Sequence, residues 1–220
     1  ISIDLIYGIP ANSEADLAED LEKAISLGVQ HISAYSLTVE PKTVFGVQKK
    51  KGTFLEIPDF AMANAFNQVR DYLESKGYEG YETSNFAKES HYSVHNTSYW
   101  QQEPYLGIGP SAHSFNGHSR QWNVANNAKY MAEGQALAEK EELSPADQLN
   151  EYLMVRLRTK WGIDLNYVRE SFKKMGQIYP EKEFQTWIAK GFARIENDSL
   201  LLEGEGKLIA DRLSSDIFVV

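Results

Sequence analysis

The first part of the chain alternates apolar and polar stretches in a way that predicts a strand, a helix and a second strand. "ISIDLIYGIP" is a short, β-branched apolar run ended by Gly and Pro, which is typical of a buried strand. "EADLAEDLEKAISLG" repeats apolar residues every three or four positions, with Ser13 as the expected N-cap and Gly28 as the stop. "VQHISAYSLTVEP" is the second predicted strand. This order and spacing indicate a parallel, right-handed βαβ unit.

The middle of the chain continues the alternation less regularly. A loop is expected from Lys49 to Gly52, followed by a helix through "FAMANAFNQVRDYLESKG". "YEGYETSNFA" (78–87) is predicted to form one strand and "SRQWNV" (119–124) a short one. A helix is expected through "NAKYMAEGQALAEK" (127–140).

The tail changes character near Ser144 and Pro145. "SPADQLNEYLMVRLRT", "LNYVRESFKKM" and "EKEFQTWIAKG" predict three helices, the first with Pro in its opening turn. The remaining residues predict a strand, a turn, a strand and a helix, so the tail is expected to be a winged-helix-like module. Residues 1–143 carry 11 basic and 19 acidic residues, whereas residues 144–220 carry 11 and 12. The two predicted domains are therefore 1–143 and 144–220.

Composition narrows the classes of function. The net charge of −9 disfavours non-specific nucleic-acid binding, because phosphate contacts need clustered Lys and Arg. The sequence contains no cysteine, which excludes disulfides and cysteine-held metal or iron–sulfur sites within this chain. No apolar run approaches the length of a transmembrane helix, and no signal peptide is visible. We expect a cytoplasmic protein, and the opening Ile suggests a fragment or a trimmed chain.

Polar residues inside the two strand patterns are the first candidates for binding. Asp4 lies within an apolar strand, where a charge is costly to bury without a partner. Ser36, Thr38 and Glu40 alternate with apolar residues at the end of the second strand, so one face there is polar. Strand ends line the ligand crevice in parallel α/β folds, which makes Asp4 a candidate ligand contact with an exposed strand-end carboxylate as the alternative.

The stretch "YSVHNTSYWQQEPYLGIGPSAHSFNG" concentrates aromatic rings, histidines and glycines. His91 and His95 are four residues apart, but the segment has poor helix formers and lacks a metalloprotease glutamate, so a zinc site is not expected. Tyr99, Trp100 and Tyr105 are compatible with core packing as well as with a site, and for Trp100 packing is the favoured interpretation. Gly107 and Gly109 indicate that the backbone passes close to a ligand or to another strand.

Five ordered motifs resemble those of a known family, the oxygen-independent coproporphyrinogen III oxidase-like radical S-adenosylmethionine proteins. The motifs are "IDLIYGIP", "HISAYSLTVEPKT", "YETSNFA", "HNTSYW" and "YLGIGPSAHSFNG". The resemblance is strongest to the haem chaperone branch. It implies an α/β fold, the C-terminal part of a partial (β/α)6 barrel followed by the winged-helix-like domain of that family. The sequence departs from the family where Ser111 replaces a common Gly.

The resemblance also implies site residues. Asp4, Thr38 and His113 match positions that contact S-adenosylmethionine, with the contact at Thr38 and His113 made by the backbone. His95, in "HNTSYW", matches a haem-contacting position, and imidazole is a common axial haem ligand. The three-cysteine loop that holds the family's [4Fe–4S] cluster is absent from this sequence. The chain is therefore expected to be the C-terminal portion of a longer protein and to be catalytically inactive by itself.

Three functions remain open at the level of sequence. The first is a haem chaperone that binds haem and transfers it to haem proteins. The second is a coproporphyrinogen III oxidase, in which a 5′-deoxyadenosyl radical starts the oxidative decarboxylation to protoporphyrinogen IX. The third is a nucleic-acid-binding winged-helix module, which the acidic composition disfavours.

Overall fold

The computed structural model describes residues 1–10, 12–133 and 139–219. The chain divides into two compact units, Ile1–Ser93 and Val94–Val220. The boundary after residue 143 that composition suggests falls inside the second unit, and it stays a prediction. No helix in the described ranges is both long and apolar enough to cross a membrane.

The first unit is a four-stranded sheet with three helices. The strands are β1 (Ser2–Tyr7), β2 (His31–Ser36), β3 (Glu79–Glu82) and β4 (Asn85–Ala87). The helices are α1 (Glu14–Ser26), α2 (Val44–Lys50) and α3 (Asp59–Ser75). The sheet order is β1-β2-β4-β3; β1 and β2 are parallel, and the other two pairs are antiparallel. The predicted βαβ unit is therefore present.

Helix α1 begins where its local signals place it. The Ser13 hydroxyl accepts a hydrogen bond from the Asp16 backbone N–H, and the Asp16 carboxylate accepts one from the Ser13 N–H, which completes a capping box. Leu17, Leu21 and Ala24 are the buried face of this helix. The Ser13 backbone N–H and the Ser13 hydroxyl both donate to the Asp16 carboxylate, and these two hydrogen bonds hold the Asp16 pKa below its ordinary value.

Three expectations for the first unit are wrong in detail. The second strand ends at Ser36 rather than Glu40, so its last residues belong to the following loop. The segment around Lys49 is mostly helix, because Thr43 caps α2 by accepting from the Gly46 N–H at 3.1 Å. "YEGYETSNFA" is a hairpin of β3 and β4 rather than one strand. Its turn is closed by the Ser84 N–H, which donates to the Glu82 carboxylate at 3.0 Å.

The second unit opens with a short helix and a small antiparallel sheet. Its elements are α4 (Val94–Trp100), β5 (His113–Phe115), β6 (Ser119–Trp122), α5 (Asn127–Glu133) and β7 (Glu139–Glu142). The sheet order is β5-β6-β7, antiparallel throughout. Of the helix expected over 127–140, the described residues Asn127–Glu133 are helical. Residues 134–138 of that prediction lie outside the described residues, and 139–142 are a strand that pairs with β6.

The rest of the second unit has the winged-helix arrangement. It contains α6 (Pro145–Leu157), β8 (Ile163–Asp164), α7 (Leu165–Lys174), α8 (Glu181–Ala189), β9 (Ala193–Glu196), β10 (Ser199–Leu202), a 3₁₀ helix (Gly204–Ile209) and α9 (Ala210–Ser215). The sheet order β8-β10-β9 sets a hairpin beside the first short strand. Leu153, Ile163, Val168 and Leu200 are fully buried in its core. The expected α/β fold with a winged-helix-like tail is confirmed.

Candidate functional site

Four polar residues lie side by side across the sheet of the first unit, one on each strand. Asp4 of β1 is paired with Ser33 of β2, Ser33 is paired with Asn85 of β4, and Asn85 is paired with Glu82 of β3. Residues paired laterally in a sheet point to the same face. We call Asp4, Ser33, Asn85 and Glu82 the polar row. Asp4 is exposed, whereas the other three are buried.

Hydrogen bonds run along the buried part of the polar row in one direction. The Ser33 hydroxyl donates to Oδ1 of Asn85 at 3.1 Å, and Nδ2 of Asn85 donates to the Glu82 carboxylate at 2.6 Å. The hydroxyl has a single proton, and this proton points away from Asp4. The oxygen of Ser33 can therefore act only as an acceptor on its remaining side.

His31 lies on the same face, two residues before Ser33. Its Nδ1 is hydrogen-bonded to the Ser2 hydroxyl, and its Nε2 to the Tyr81 hydroxyl, each at 2.7 Å. Burial lowers the pKa of His31, and the Asp4 carboxylate opposes that shift. His31 therefore ties β1 to the β3–β4 hairpin as a buried polar group with hydrogen bonds on both ring nitrogens.

Thr38 lies in the loop that follows β2, and its side chain is exposed. The backbone N–H of Leu37 donates to the Tyr7 carbonyl at 2.8 Å, which continues the β1–β2 pairing just beyond the strand end. Ser36 and Glu40 are exposed as well, so this strand end is polar as its pattern indicates. Burial raises the pKa of the nearby Tyr7 hydroxyl to about 12.

His95 lies in the first turn of α4, which the sequence pattern did not predict as a helix. Its imidazole is exposed and lies edge-on to the Tyr99 ring one turn later, with ring centroids 4.9 Å apart. The Tyr99 ring in turn packs against the Tyr105 ring, with ring centroids 4.5 Å apart. Val94, next to His95, is 81% exposed. The imidazole is thus accessible to a ligand, and an aromatic ring lies beside it.

Two polar atoms on α4 are buried without a hydrogen-bond partner among the described residues. They are Oγ1 of Thr97 and Nε1 of Trp100. These residues are three apart, so they share a face of the helix. The interpretation of Trp100 as mainly a packing residue is compatible with its partial burial.

The "GIGPSAH" loop is held by side chains on either side of it. A Cβ on Gly107 would lie 2.0 Å from the His113 carbonyl oxygen, so the close approach inferred from this glycine is to β5. Nδ2 of Asn123 donates to the carbonyls of Gly107 at 3.3 Å and Gly109 at 2.9 Å. Asn123 is 2% exposed. Sequence reasoning missed this residue, because it lies within the strand predicted over 119–124.

His113 is the first residue of β5, and its ring stacks on Trp122 with centroids 5.9 Å apart. The indole N–H of Trp122 donates to the Glu139 carboxylate at 3.1 Å. His113 is exposed, and one face of its ring lies against Trp122. Asp4 and Thr38 belong to the first unit, and His95 and His113 to the second.

No protein-family model matches the chain. A solved structure of coproporphyrinogen III oxidase (HemN) from Escherichia coli, described as a radical SAM enzyme, matches 97% of this chain and 54% of its own length, with a TM-score of 0.71 and 17% identity. The chain therefore has the fold of this class of radical S-adenosylmethionine protein.

Sequence comparison gives the particular relatives. The haem chaperone HemW of Bacillus subtilis is 31% identical over 97% of this chain and 57% of its own length. HemW of Mycobacterium tuberculosis is 32% identical over 96% and 53%. The mouse protein "Radical S-adenosyl methionine domain-containing protein 1, mitochondrial" is 30% identical over 97% and 52%. The HemW haem chaperones are thus homologues of this chain, which spans about half the length of the curated relatives it matches.

The residues present fit the family's cofactors unequally. The [4Fe–4S] cluster needs thiolate ligands, and the sequence has no cysteine, so this chain cannot hold it. Among the described residues, no group of three or more acidic or imidazole side chains is arranged to bind a metal ion. For S-adenosylmethionine, the exposed carboxylate of Asp4 next to an acceptor-only Ser33 hydroxyl fits a ligand that presents hydrogen-bond donors.

Proposed function

We propose that the chain is part of a haem chaperone that binds haem and passes it to haem-accepting proteins, with His95 as a haem-contacting residue. The observation that carries the proposal is the position of His95. It lies in "HNTSYW", at the start of α4, with its imidazole exposed and with Tyr99 packed against one side. The sequence similarity to haem chaperones along nearly the whole chain supports the same function.

The chemistry of the position supports haem as the ligand. A neutral imidazole is a strong axial ligand for haem iron, and aromatic or apolar neighbours suit the flat, hydrophobic porphyrin. The Tyr99 ring supplies such a neighbour.

We also propose that Asp4, Thr38 and His113 are each S-adenosylmethionine contacts in the protein to which this chain belongs. Asp4, Thr38 and His113 are all exposed, which is compatible with the contacts that the family resemblance implies. The chain itself is expected to show no radical chemistry, because it contains no cysteine for a cluster.

Titration with ferric haem tests the haem proposal. His95→Ala is expected to weaken binding at least tenfold and to shift the Soret band, because an axial ligand is lost. The matched control is His118→Ala, an exposed histidine of the same unit. An unchanged affinity and spectrum in His95→Ala would remove this residue from the haem site, and equal losses in both variants would indicate non-specific haem adsorption.

Coproporphyrinogen III oxidation is the second candidate. The fold match to an oxidase favours it, but that match is at 17% identity, whereas the relatives at 30% or more identity that carry a functional name are haem chaperones. Anaerobic turnover by the longer protein separates the two, since only an oxidase would form protoporphyrinogen IX. The expected cytoplasmic location and the expected lack of nucleic-acid binding stay predictions.

A further inference from the structure

The polar row places a second acceptor next to Asp4. Asp4 and Ser33 are directly paired on neighbouring parallel strands, so their side chains leave the sheet on the same face about 5 Å apart. Aspartate is acceptor-only when ionised, and Ser33 has no proton left for this side because it donates to Asn85 at 3.1 Å. The Asp4 carboxylate and the Ser33 oxygen are therefore neighbouring hydrogen-bond acceptors, and neither can donate to the other.

We propose that Ser33 is a ligand-binding residue of the Asp4 site, and that Asn85 and Glu82 are positioning residues that keep its hydroxyl an acceptor. The inference rests on the proposed S-adenosylmethionine contact of Asp4. The group that the pair accepts is a hydrogen-bond donor of the ligand, either the ammonium of its methionine part or the ribose hydroxyls.

The direction of the hydrogen bonds supports this assignment. A serine hydroxyl beside a carboxylate would ordinarily donate to it, which would occupy the hydroxyl proton and one of the acceptor sites of the carboxylate. In the polar row the Glu82 carboxylate accepts a hydrogen bond from the Asn85 amide N–H at 2.6 Å. The Asn85 carbonyl therefore faces Ser33 and accepts the hydrogen bond of its hydroxyl. Glu82 thus orients the Asn85 amide, and the Asn85 carbonyl accepts from the Ser33 hydroxyl. The Ser33 oxygen is then left to accept a hydrogen bond from a donor of the ligand.

The three hydrogen-bonded residues of the polar row are buried, and burying polar side chains costs free energy. Asn85 is 2% exposed, and Ser33 and Glu82 are each 4% exposed. Polar groups placed inside a sheet cost free energy that an apolar residue would not, and a fully connected network tolerates little disorder. The network therefore holds the Ser33 oxygen in a fixed orientation, which is what a ligand contact requires.

Ligand-observed NMR titration of the 220-residue chain with S-adenosylmethionine tests the proposal, since this method reaches weak binding. Ser33→Ala is expected to raise the dissociation constant about three- to tenfold, the effect of one lost hydrogen bond. The control is Ser26→Ala, an exposed serine at the end of α1. Asn85→Ala is expected to weaken binding as well, but to add less than twofold when combined with Ser33→Ala, because it acts through Ser33.

A second ligand identifies the donor. 5′-Methylthioadenosine keeps the ribose hydroxyls and lacks the amino acid. If Ser33→Ala weakens only S-adenosylmethionine, the donor is the ammonium; if it weakens both ligands, the donor is a ribose hydroxyl. An effect within twofold for both ligands, with Asp4→Asn still weakening binding, would overturn the role of Ser33 and leave the Asp4 site standing.

The remaining outcomes separate the inference from the proposed function. No binding to the unmutated chain at millimolar ligand, or equal binding by Asp4→Asn, would overturn this inference together with the S-adenosylmethionine site. Neither result bears on His95, whose role depends on the haem titration. Thermal melts of each variant show whether it is folded. If Asn85→Ala does not fold, Ser33→Ala, which removes a single oxygen, is sufficient to test the proposal.

Discussion

The side-chain amide of Asn123 donates to the backbone carbonyl of Gly109 at 2.9 Å, and to that of Gly107 at 3.3 Å. The residue between these glycines, Ile108, is 81% exposed. One buried amide thus fixes both flanks of a projecting loop. The Gly109 N–H of the loop also donates a hydrogen bond to the Tyr130 hydroxyl oxygen, at 3.1 Å. Its shape is therefore set by side chains outside the motif.

Asn123→Ala is expected to destabilise the chain by about 1–3 kcal/mol, because two carbonyl groups lose a buried donor. The matched control, Asn127→Ala, changes an exposed asparagine at the start of α5 and is expected to alter the free energy of unfolding by less than about 0.5 kcal/mol. Urea unfolding of both variants checks this. Similar values for the two would show that the loop does not depend on the amide.

Ser111→Gly is expected to stabilise the chain by about 0.5–1 kcal/mol. Ser111 has a φ of 61°, in the left-handed region where a Cβ is unfavourable. The glycine that is common at this position in the family fits the same conformation without that cost. The comparison variant Ser171→Gly, inside α7, is expected to destabilise by a similar amount, since glycine is a poor helix former. Thermal or urea unfolding that gave both changes the same sign would contradict this account.

The fold could be predicted from the sequence wherever local signals decide it. The capping box of Ser13 and the apolar face of α1 are of this kind, as are the three helices of the tail. The β3–β4 hairpin and α4 were missed because neither has a strong local signal. The hairpin turn depends on the Glu82 carboxylate, and α4 forms from residues of low helix propensity.

The candidate site divides in the same way. Asp4 and His95 could be singled out because their residue types lie in motifs that resemble a family. The polar row could not, because its lateral alignment depends on the register of four strands, and Asn85 is distant in sequence from Asp4. Register is a property of the assembled sheet, and a shift of one residue would turn each side chain to the other face.

Acidification from pH 7.5 towards 5 is expected to destabilise the chain through His31. Burial lowers the pKa of His31 in the folded state below its unfolded value, which is about 6.5. The folded state is therefore favoured fully above that unfolded value, and stability falls as pH decreases through it, because the unfolded chain takes up the proton first. His31→Gln, which retains hydrogen-bonding capacity, should flatten the dependence.

Urea unfolding at several pH values measures this effect, and NMR titration of the His31 ring gives its pKa directly. The pKa values of Asp16 and Asp147 are lowered by their capping hydrogen bonds, so their contribution is lost only at pH below about 4. The two pH ranges are therefore separate. An equal slope between pH 7.5 and 5 with and without His31 would rule out this residue as the source.

Tyr99 is expected to support haem binding by His95 through its ring rather than its hydroxyl. The two rings lie edge-on at 4.9 Å, a geometry that restricts the imidazole. Tyr99→Phe should retain haem affinity within about twofold, whereas Tyr99→Ala should weaken it by roughly threefold to tenfold, which corresponds to an aromatic pair. Haem titration checks both. If Tyr99→Phe lowered haem affinity as much as Tyr99→Ala, the effect would come from the hydroxyl rather than from the ring contact.

The outer edge of β1 is expected to make the isolated chain self-associate. Within the described residues β1 pairs with β2 on one side only, and Ile6 near its end is 56% exposed. An open strand edge with apolar side chains is a template for pairing with another strand. Asp4 limits this tendency, because an ionised carboxylate in the paired strand would need a partner.

Sedimentation velocity over a range of concentrations measures the association. Ile6→Lys is expected to shift the distribution towards monomer, because a charge on an edge strand opposes pairing. The control is Ile178→Lys, which adds the same charge at an isoleucine that is 91% exposed and outside any strand. If both variants reduced association equally, net charge rather than the β1 edge would be its cause. A monomer at high concentration in the unmutated chain would show that the edge is already protected.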